Sequence, residues 1–240
     1  MSDVHRTHAG DELWVCHLGV VPYRDALSLQ ANIRERRQRD ELPDTLLLLE
    51  HPPVYTRGRR SREEELTLGE AFYRARGIDV VDTDRGGRVT YHGPGQLVGY
   101  PIMRTLDIGS YLRTMESSII AALSGQGIRA SSRCEEGPDY TGVWVSERKI
   151  ASIGVHVSRG VTTHGFAVNV DVDLEPFSWV VACGLPDVVM TSIASETPSE
   201  NEVDADRFRA SMAEHFCRAH DRRQRLVSPA QLAVEERVPA

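Results

Sequence analysis

The sequence predicts an α/β (α+β) domain in which a mixed β-sheet is flanked by helices. Segments with apolar residues three or four positions apart, typical of helices, alternate with short apolar segments typical of strands. Several strands are separated only by glycine-containing turns, which predicts hairpins as well as helical connections. With 240 residues, of which 40% are hydrophobic, the chain is long enough to bury one sizeable core. We therefore expect parallel and antiparallel pairs in one sheet.

The first part of the chain predicts two strands around a long helix. Residues 12–18 favour a strand, and residues 23–39 have the spacing of a helix with one apolar face. Residues 45–49 (TLLLL) are followed by a proline pair, which indicates a buried strand. An arginine-rich loop at 57–62 and a short helix at 69–76 follow.

The middle of the chain predicts a strand at 78–81, a strand at 96–103 and a second long helix. Ser110 is the expected N-cap of this helix, because serine hydroxyls accept hydrogen bonds from free backbone N–H groups. Gly125 or Gly127 is expected to end it. The residues expected on its inner face are Leu112, Met115, Ile119 and Leu123.

The remaining sequence predicts three more strands and a last helix. The strands are expected at residues 143–145, 150–157 and 166–170, and the helix at 204–220. We expect one domain over residues 1–220, with a polar and poorly ordered tail at 221–240.

Charge and composition exclude several function classes. The net charge of -7 disfavours nucleic-acid binding, and no apolar segment approaches the roughly 20 residues of a membrane-spanning helix. The first 20 residues are polar and acidic, unlike a signal peptide, so we expect a cytoplasmic protein. The four cysteines are Cys16, Cys134, Cys183 and Cys217. None of them forms a CxxC pair, which argues against a zinc ribbon or a disulfide framework.

Residues 85–100 (RGGRVTYHGPGQLVGY) contain five glycines among polar and aromatic residues. Glycine lets a ligand or a neighbouring strand approach the backbone closely, although a structural turn between strands would also explain the cluster. The segment lacks the GK[ST] ending of a phosphate-binding loop, and it is not a GxGxxG sequence opening a helix. A nucleotide site is therefore disfavoured.

This segment resembles the signature of the lipoyl(octanoyl) transferases, and the chain matches that signature at every position from 85 to 100. The resemblance continues through LEHPPVYT at 49–56, KIASIG at 149–154, HGFA at 164–167 with Asn169, and CG at 183–184. Ala182 is a departure, because the family often has proline before the cysteine.

The resemblance implies a fold shared with the catalytic domains of biotin and lipoate protein ligases. It implies that Cys183 carries the acyl group and that Lys149 is its acid/base partner. No metal or cofactor is expected. The substrate-binding residues that it implies are Arg85, Gly86, Gly87, Arg88, Val89, Thr90, Tyr91, His92, Ser152, Ile153, Gly154, Gly165, Phe166 and Ala167.

The resemblance also implies the partners. The donor would be octanoyl-acyl carrier protein, and the acceptors would be lysines of the lipoyl domains of 2-oxoacid dehydrogenase E2 subunits and of the glycine cleavage H protein. The chain is expected to act as a monomer, without nucleic acid or membrane. Acyl transfer between thioesters and then to an amine needs no ATP, which agrees with the missing phosphate loop.

The residue types fit this chemistry independently of the family. Lys149 is the single lysine among 28 basic residues. A cation beside a cysteine favours the reactive thiolate, but only lysine can also give up its proton, because arginine stays charged. A second reaction step needs such a base, since an attacking lysine arrives as an ammonium ion. An exposed lysine left by an arginine-rich composition is the alternative interpretation.

Other polar groups are candidates of lower rank. His92, His156 and His164 could form a Cys–His pair, but histidines more often orient neighbours through hydrogen bonds. The loop at 57–62 could bind an acidic carrier protein, which charge reversal at Arg59 and Arg60 would test, or it could simply be solvated.

Three other functions compete with acyl transfer. An ATP-dependent lipoate or biotin ligase would share the fold but would not need Cys183. A non-catalytic module that binds lipoyl domains would need neither Cys183 nor Lys149. A cysteine hydrolase would release the same acyl-enzyme to water.

Overall fold

The fold is built on a β-sheet of nine strands, within the residues that the computed structural model describes: 11–185, 187–198 and 202–232. The helices are α1 (Tyr23–Gln38), α2 (Glu70–Arg74), α3 (Ile108–Ser124), α4 (Ile193–Glu196), α5 (Ala205–Ala219) and α6 (Pro229–Leu232). The strands are β1 (Glu12–Val20), β2 (Thr45–Glu50), β3 (Val54–Arg57), β4 (Asp79–Asp82), β5 (Thr90–His92), β6 (Gln96–Ile102), β7 (Ser131–Ser132), β8 (Gly142–Val145), β9 (Arg148–Ser158), β10 (Val161–Asn169), β11 (Val189–Met190) and β12 (Arg223–Leu226).

The large sheet has the strand order β12-β1-β2-β6-β10-β9-β8-β7, and β11 pairs with β9 beside this path. β2 and β12 run parallel to β1, and β11 runs parallel to β9. The other pairs are antiparallel, including the long hairpin of β9 and β10. The predicted mixed sheet is therefore confirmed.

Helices cover both faces of this sheet, which explains why the sequence of β2 is apolar at successive positions. Leu46 and Leu48 point to the face on which α3 and α5 pack. Leu47 and Leu49 alternate with them and point to the other face, in the core with α1. All four side chains are fully buried, as expected for a strand covered on both sides.

A second sheet of three strands, β4-β3-β5, holds the glycine-rich segment against the large sheet. Tyr55 of β3 packs against Tyr73 and Tyr91, with ring centroids 4.8 and 5.4 Å apart. At the junction, the backbone N–H of Gly86 donates to the carbonyl of Val155 in β9 at 2.9 Å. The aromatic core of the small sheet thereby fixes residues 85–92 above β9.

The predicted start of α3 is wrong by three residues. Asp107, not Ser110, is the N-cap, and its carboxylate accepts hydrogen bonds from two backbone N–H groups of the first turn. Ser110 lies inside the helix and donates its hydroxyl to Asp107 at 2.6 Å. Tyr111 is buried on the inner face of the helix, whereas Leu112, which was predicted there, is only partly buried. The helix ends at Gly125, as predicted.

Part of the expected tail, residues 223–232, folds onto the domain as β12 and α6. β12 pairs with the edge strand β1, and Val227 and Leu232 are buried against the core on the α1 face. The polar composition was misleading because an edge strand needs only backbone hydrogen bonds and two or three buried apolar side chains. Residues 233–240 lie outside the described part of the chain.

Candidate active site

Lys149 lies in β9, where the strand pairing is irregular. Trp144 in β8 is its cross-strand neighbour, and one extra residue of β9, Ile150, interrupts the register next to it. Such bulges redirect side chains. Gly142 leaves the space that the lysine side chain occupies, because a Cβ at this position would lie 2.8 Å from Lys149 Cε.

Cys183 is the central residue of a single tight turn, Ala182–Gly184. Its φ of 58° lies in the left-handed region, which is unusual for a residue with a side chain. The backbone N–H of Cys183 donates to the carbonyl of Val89 at 2.9 Å. Arg88 lies so close to Gly184 that no side chain would fit there. The turn is thus held against the glycine-rich segment.

The two side chains meet although 34 positions separate them in the sequence. Lys149 Nζ donates to Cys183 Sγ at 3.4 Å, and Ser152 Oγ lies 3.9 Å from the same sulfur. Lys149 is only 1% exposed, whereas Cys183 is half-buried. The interpretation of Lys149 as a solvated strand residue is therefore wrong.

Arg85 places a second positive charge near the sulfur. Its guanidinium is buried and donates to the carbonyl and hydroxyl of Thr56, both at 2.6 Å. Burial lowers the pKa of Arg85, and the charge interaction with the Cys183 thiolate opposes that shift. The sulfur of Cys183 thus lies near two buried basic side chains, Lys149 and Arg85.

A cavity opens beside the two residues and is lined by most of the predicted substrate-binding residues. Val89 and Tyr91 do not line it, because alternate side chains of a strand point to opposite faces. Both belong to the aromatic core of the small sheet, and Gly86 contacts β9 instead. The predicted residues that line the cavity are Arg85, Gly87, Arg88, Thr90, His92, Ser152, Ile153, Gly154, Gly165, Phe166 and Ala167.

Residues 22–217 match the lipoyl protein ligase A/B catalytic domain. An octanoyltransferase of Solibacter usitatus is 45% identical over 208 residues, which cover 85% of this chain and 91% of that protein. An octanoyltransferase of Mycobacterium ulcerans is 45% identical over 219 residues, covering 86% and 88%. The chain belongs to the octanoyltransferase family. As a member of that family it is an enzyme of the transferase class.

Solved structures of more distant proteins share the fold of this octanoyltransferase family member. Lipoate-protein ligase A bound with ATP is 22% identical, with a TM-score of 0.70 and 92% of each chain covered. A bipartite lipoate protein ligase from Thermoplasma acidophilum is 20% identical, with a TM-score of 0.68, covering 94% of this chain and 91% of that one. The predicted ligase-like fold is confirmed.

The sequence did not predict eight further residues that line the cavity of this family member. Three of them follow β7, in the stretch Gly137–Gly142, whose Gly-Pro pair was the available signal of a functional loop. The others come from four separate parts of the chain, and all but Tyr23 lie in segments that the sequence had singled out without assigning those residues to substrate binding. The eight residues are Tyr23, Arg60, Val98, Tyr100, Pro138, Asp139, Thr141 and His164.

The histidines of the cavity are oriented by hydrogen bonds. His92 Nδ1 lies 2.6 Å from Gln96 Oε1, and His164 Nε2–H donates to the carboxylate of Asp84 at 2.7 Å. Burial lowers the pKa of both rings, so they are neutral at pH 7. The sulfur of Cys183 contacts Lys149 Nζ and Ser152 Oγ, which agrees with an organising role for the histidines.

The described residues contain neither a membrane-spanning helix nor a cluster of metal-binding side chains. No helix among them is long and apolar enough to cross a membrane. Residues 11–185, 187–198 and 202–232 also contain no group of three or more histidine, cysteine, aspartate or glutamate side chains placed to bind a metal ion.

Proposed function

We propose that the chain transfers an octanoyl group from octanoyl-acyl carrier protein to a lysine of lipoyl domains, through a thioester on Cys183. Lys149 serves as the acid and base. The observation that carries this proposal is the 3.4 Å contact between Lys149 Nζ and Cys183 Sγ at the end of a partly apolar cavity. The acceptors would be the lipoyl domains of 2-oxoacid dehydrogenase E2 subunits and the glycine cleavage H protein, for which the octanoyltransferase names of the relatives are the support.

In the first half-reaction, the Cys183 thiolate attacks the carbonyl carbon of the donor thioester. A new C–S bond forms, the old C–S bond breaks, and the leaving thiolate takes a proton from the Lys149 ammonium. The buried amine is placed for that transfer because it already contacts the attacking sulfur. Thioester is exchanged for thioester, so no energy source is needed.

In the second half-reaction, the lysine of the acceptor domain gives one proton to water, and its neutral amine attacks the carbonyl carbon of the acyl-enzyme. Neutral Lys149 takes the proton that the attacking nitrogen loses, and the Cys183 thiolate leaves. The enzyme returns to its starting state with ammonium and thiolate side by side. Because the acyl group stays on the enzyme between the two steps, the donor and acceptor proteins can bind at the same cavity entrance one after the other.

The acyl chain would lie along the apolar wall of the cavity. Val98, Ile153, Phe166 and Ala167 line it together with the backbone of Gly154 and Gly165. Burying seven or so methylene groups contributes roughly 5 kcal/mol at ~0.8 kcal/mol each. We therefore expect strong discrimination against short acyl chains and weak discrimination against chains that are one carbon longer.

The decisive experiment is incubation with octanoyl-acyl carrier protein alone, followed by intact-protein mass spectrometry. The wild-type chain should gain one octanoyl group, and Cys183→Ala should gain none. Cys183→Ser and Lys149→Arg should each reduce transfer to a lipoyl domain by more than about 10³-fold. An octanoyl adduct that persists in Cys183→Ala would overturn the proposed relay.

A further inference from the structure

Trp144 connects Lys149 to the cavity loop, residues 137–142, which lines one side of the cavity. The ammonium nitrogen of Lys149 lies 5.2 Å from the centroid of the Trp144 ring, which is 1% exposed. On the loop side, the indole N–H donates to the carbonyl of Tyr140 at 3.0 Å, and the Arg133 guanidinium lies 4.6 Å from the ring centroid. The ring is thus fixed in a single orientation.

Lys149 has an unusual environment for a buried cation. No aspartate or glutamate oxygen of the described residues lies within 4.0 Å of its nitrogen, and Cys183 Sγ is its polar contact. A buried ammonium ion without a carboxylate needs other compensation. The face of an indole ring carries negative charge density and attracts a cation at this distance.

We propose that Trp144 is a positioning residue that holds the protonated amine of Lys149 against Cys183. This rests on the proposed function, because it assumes that the lysine–cysteine pair carries out the reaction. Before acylation, thiolate and ring together stabilise the ammonium ion. After acylation the sulfur is uncharged and Lys149 has given its proton to the leaving thiolate. The ring stabilises the ammonium ion again once the amine takes the proton of the attacking nitrogen.

Several charged groups surround this arrangement. Arg85 interacts electrostatically with the sulfur, and the Arg133 guanidinium lies over the indole ring as a second cation. Asp139 lies on the cavity loop, and Glu116 of α3 accepts a hydrogen bond from the backbone N–H of Gly142, beside the lysine. These groups are present in every variant below, so a change between variants reports on the ring.

The chain offers a matched control. Trp14 in β1 is partly buried, and the Arg225 guanidinium lies 5.3 Å from its ring centroid. Trp14→Leu removes the same indole and a similar cation–ring contact at the opposite edge of the large sheet. A general effect of losing a tryptophan would appear in both Trp14→Leu and Trp144→Leu.

The test is the rate of iodoacetamide alkylation of Cys183 as a function of pH, read from the mass of its peptide. Trp144→Leu should move the midpoint of the profile upward by about one pH unit, because the ammonium that favours the thiolate is less stable. Trp144→Phe should bring the midpoint most of the way back to the wild-type value, since it keeps an aromatic face although it loses the five-membered ring with its N–H. Trp14→Leu should match wild type.

Steady-state kinetics give the second readout. Trp144→Leu should lower kcat at least tenfold while leaving the KM for the carrier-bound donor within about twofold. Equal alkylation midpoints in wild type, Trp144→Leu and Trp144→Phe would overturn the inference. If Trp144→Leu does not fold, Trp144→Met decides, because the inference predicts the upward midpoint shift for this large non-aromatic side chain, whereas a role in volume alone predicts the wild-type midpoint. Alkylation involves no octanoyl group, so this failure is distinct from failure of the proposed function.

Discussion

At the scale of the residue, the site depends on where small side chains leave room for large ones. Gly142 is the clearest case, because its φ of 140° and its neighbours both exclude a side chain. A Cβ there would lie 2.4 Å from the carbonyl oxygen of Ala151 and 2.8 Å from Lys149 Cε. The lysine can reach the sulfur of Cys183 because this position has no side chain.

Gly142→Ala is therefore expected to displace Lys149. We expect transfer to fall more than tenfold and the free energy of unfolding to fall by about 1–3 kcal/mol. Gly127→Ala is the matched control, because its φ of 76° imposes similar backbone strain but no atom lies within 4 Å of the added Cβ. It should lose stability and keep activity, as measured by denaturant unfolding and transfer assays. Similar activity losses in the two variants would contradict the steric argument.

His51 links pH to stability through its burial. Its Nδ1–H donates to the carbonyl of Val21, and Tyr100 donates its hydroxyl to Nε2, both at 2.6 Å. Burial lowers the pKa of His51 to about 4, whereas the unfolded chain has an ordinary histidine with a pKa near 6.5. Between these values the unfolded state binds the additional proton, so stability is lost as pH falls.

Protonation of His51 in the unfolded state is expected to lower the free energy of unfolding by about 3 kcal/mol between pH 6.5 and pH 4, with no effect above pH 7. Denaturant unfolding at a series of pH values measures it. His51→Asn should be less stable at pH 7 and should have a flatter profile over that window. An unchanged slope in the variant would show that other groups cause the acid sensitivity.

At the scale of the element, segments that look alike in sequence acquire different roles through their pairing. The alternation in β5 sends Thr90 and His92 into the cavity and Tyr91 into the core of the small sheet. The resemblance implied that all of residues 85–92 bind substrate, because a sequence motif does not say to which face of a strand each side chain points. Strand geometry divides it.

The start of α3 gives a test at this scale. Asp107→Ala should lower the free energy of unfolding by about 1 kcal/mol, because two backbone N–H groups lose their acceptor. Ser110→Ala should cost only a few tenths of a kcal/mol, since its hydroxyl is exposed and donates only to the capping carboxylate. Thermal and denaturant unfolding of both variants should give this order, and the reverse order would restore Ser110 as the cap.

At the scale of the whole molecule, a basic loop lies beside the cavity of an acidic protein. Arg57 pairs with Asp82, and Arg60 pairs with Asp139 of the cavity loop. Arg59 and Arg62 are exposed, and the described residues place no carboxylate oxygen within 4.0 Å of either guanidinium group. These two are therefore better candidates than Arg60 for binding an acidic carrier protein.

We expect Arg59→Glu with Arg62→Glu to raise the KM for octanoyl-acyl carrier protein at least fivefold at low salt, and less at high salt. A small octanoyl thioester should be used equally well by variant and wild type. Arg129→Glu with Arg159→Glu supplies the same change of charge at two exposed positions, in grooves that share no residue with the cavity, and should leave both values unchanged. Equal effects on both donors would argue against docking at this loop.

The sequence by itself determined the fold class, the family and the two residues on which the chemistry is proposed to depend, because these follow from hydrophobic periodicity and from contiguous motifs. Only the tertiary structure decided which members of the glycine-rich motif line the cavity, that Lys149 is buried, and that Trp144 lies against its amine. It also added Tyr23, Asp139 and others to the cavity wall. Such contacts join residues far apart in the chain, and their distances depend on strand register, a bulge and a left-handed turn, none of which has a local sequence signal strong enough to predict.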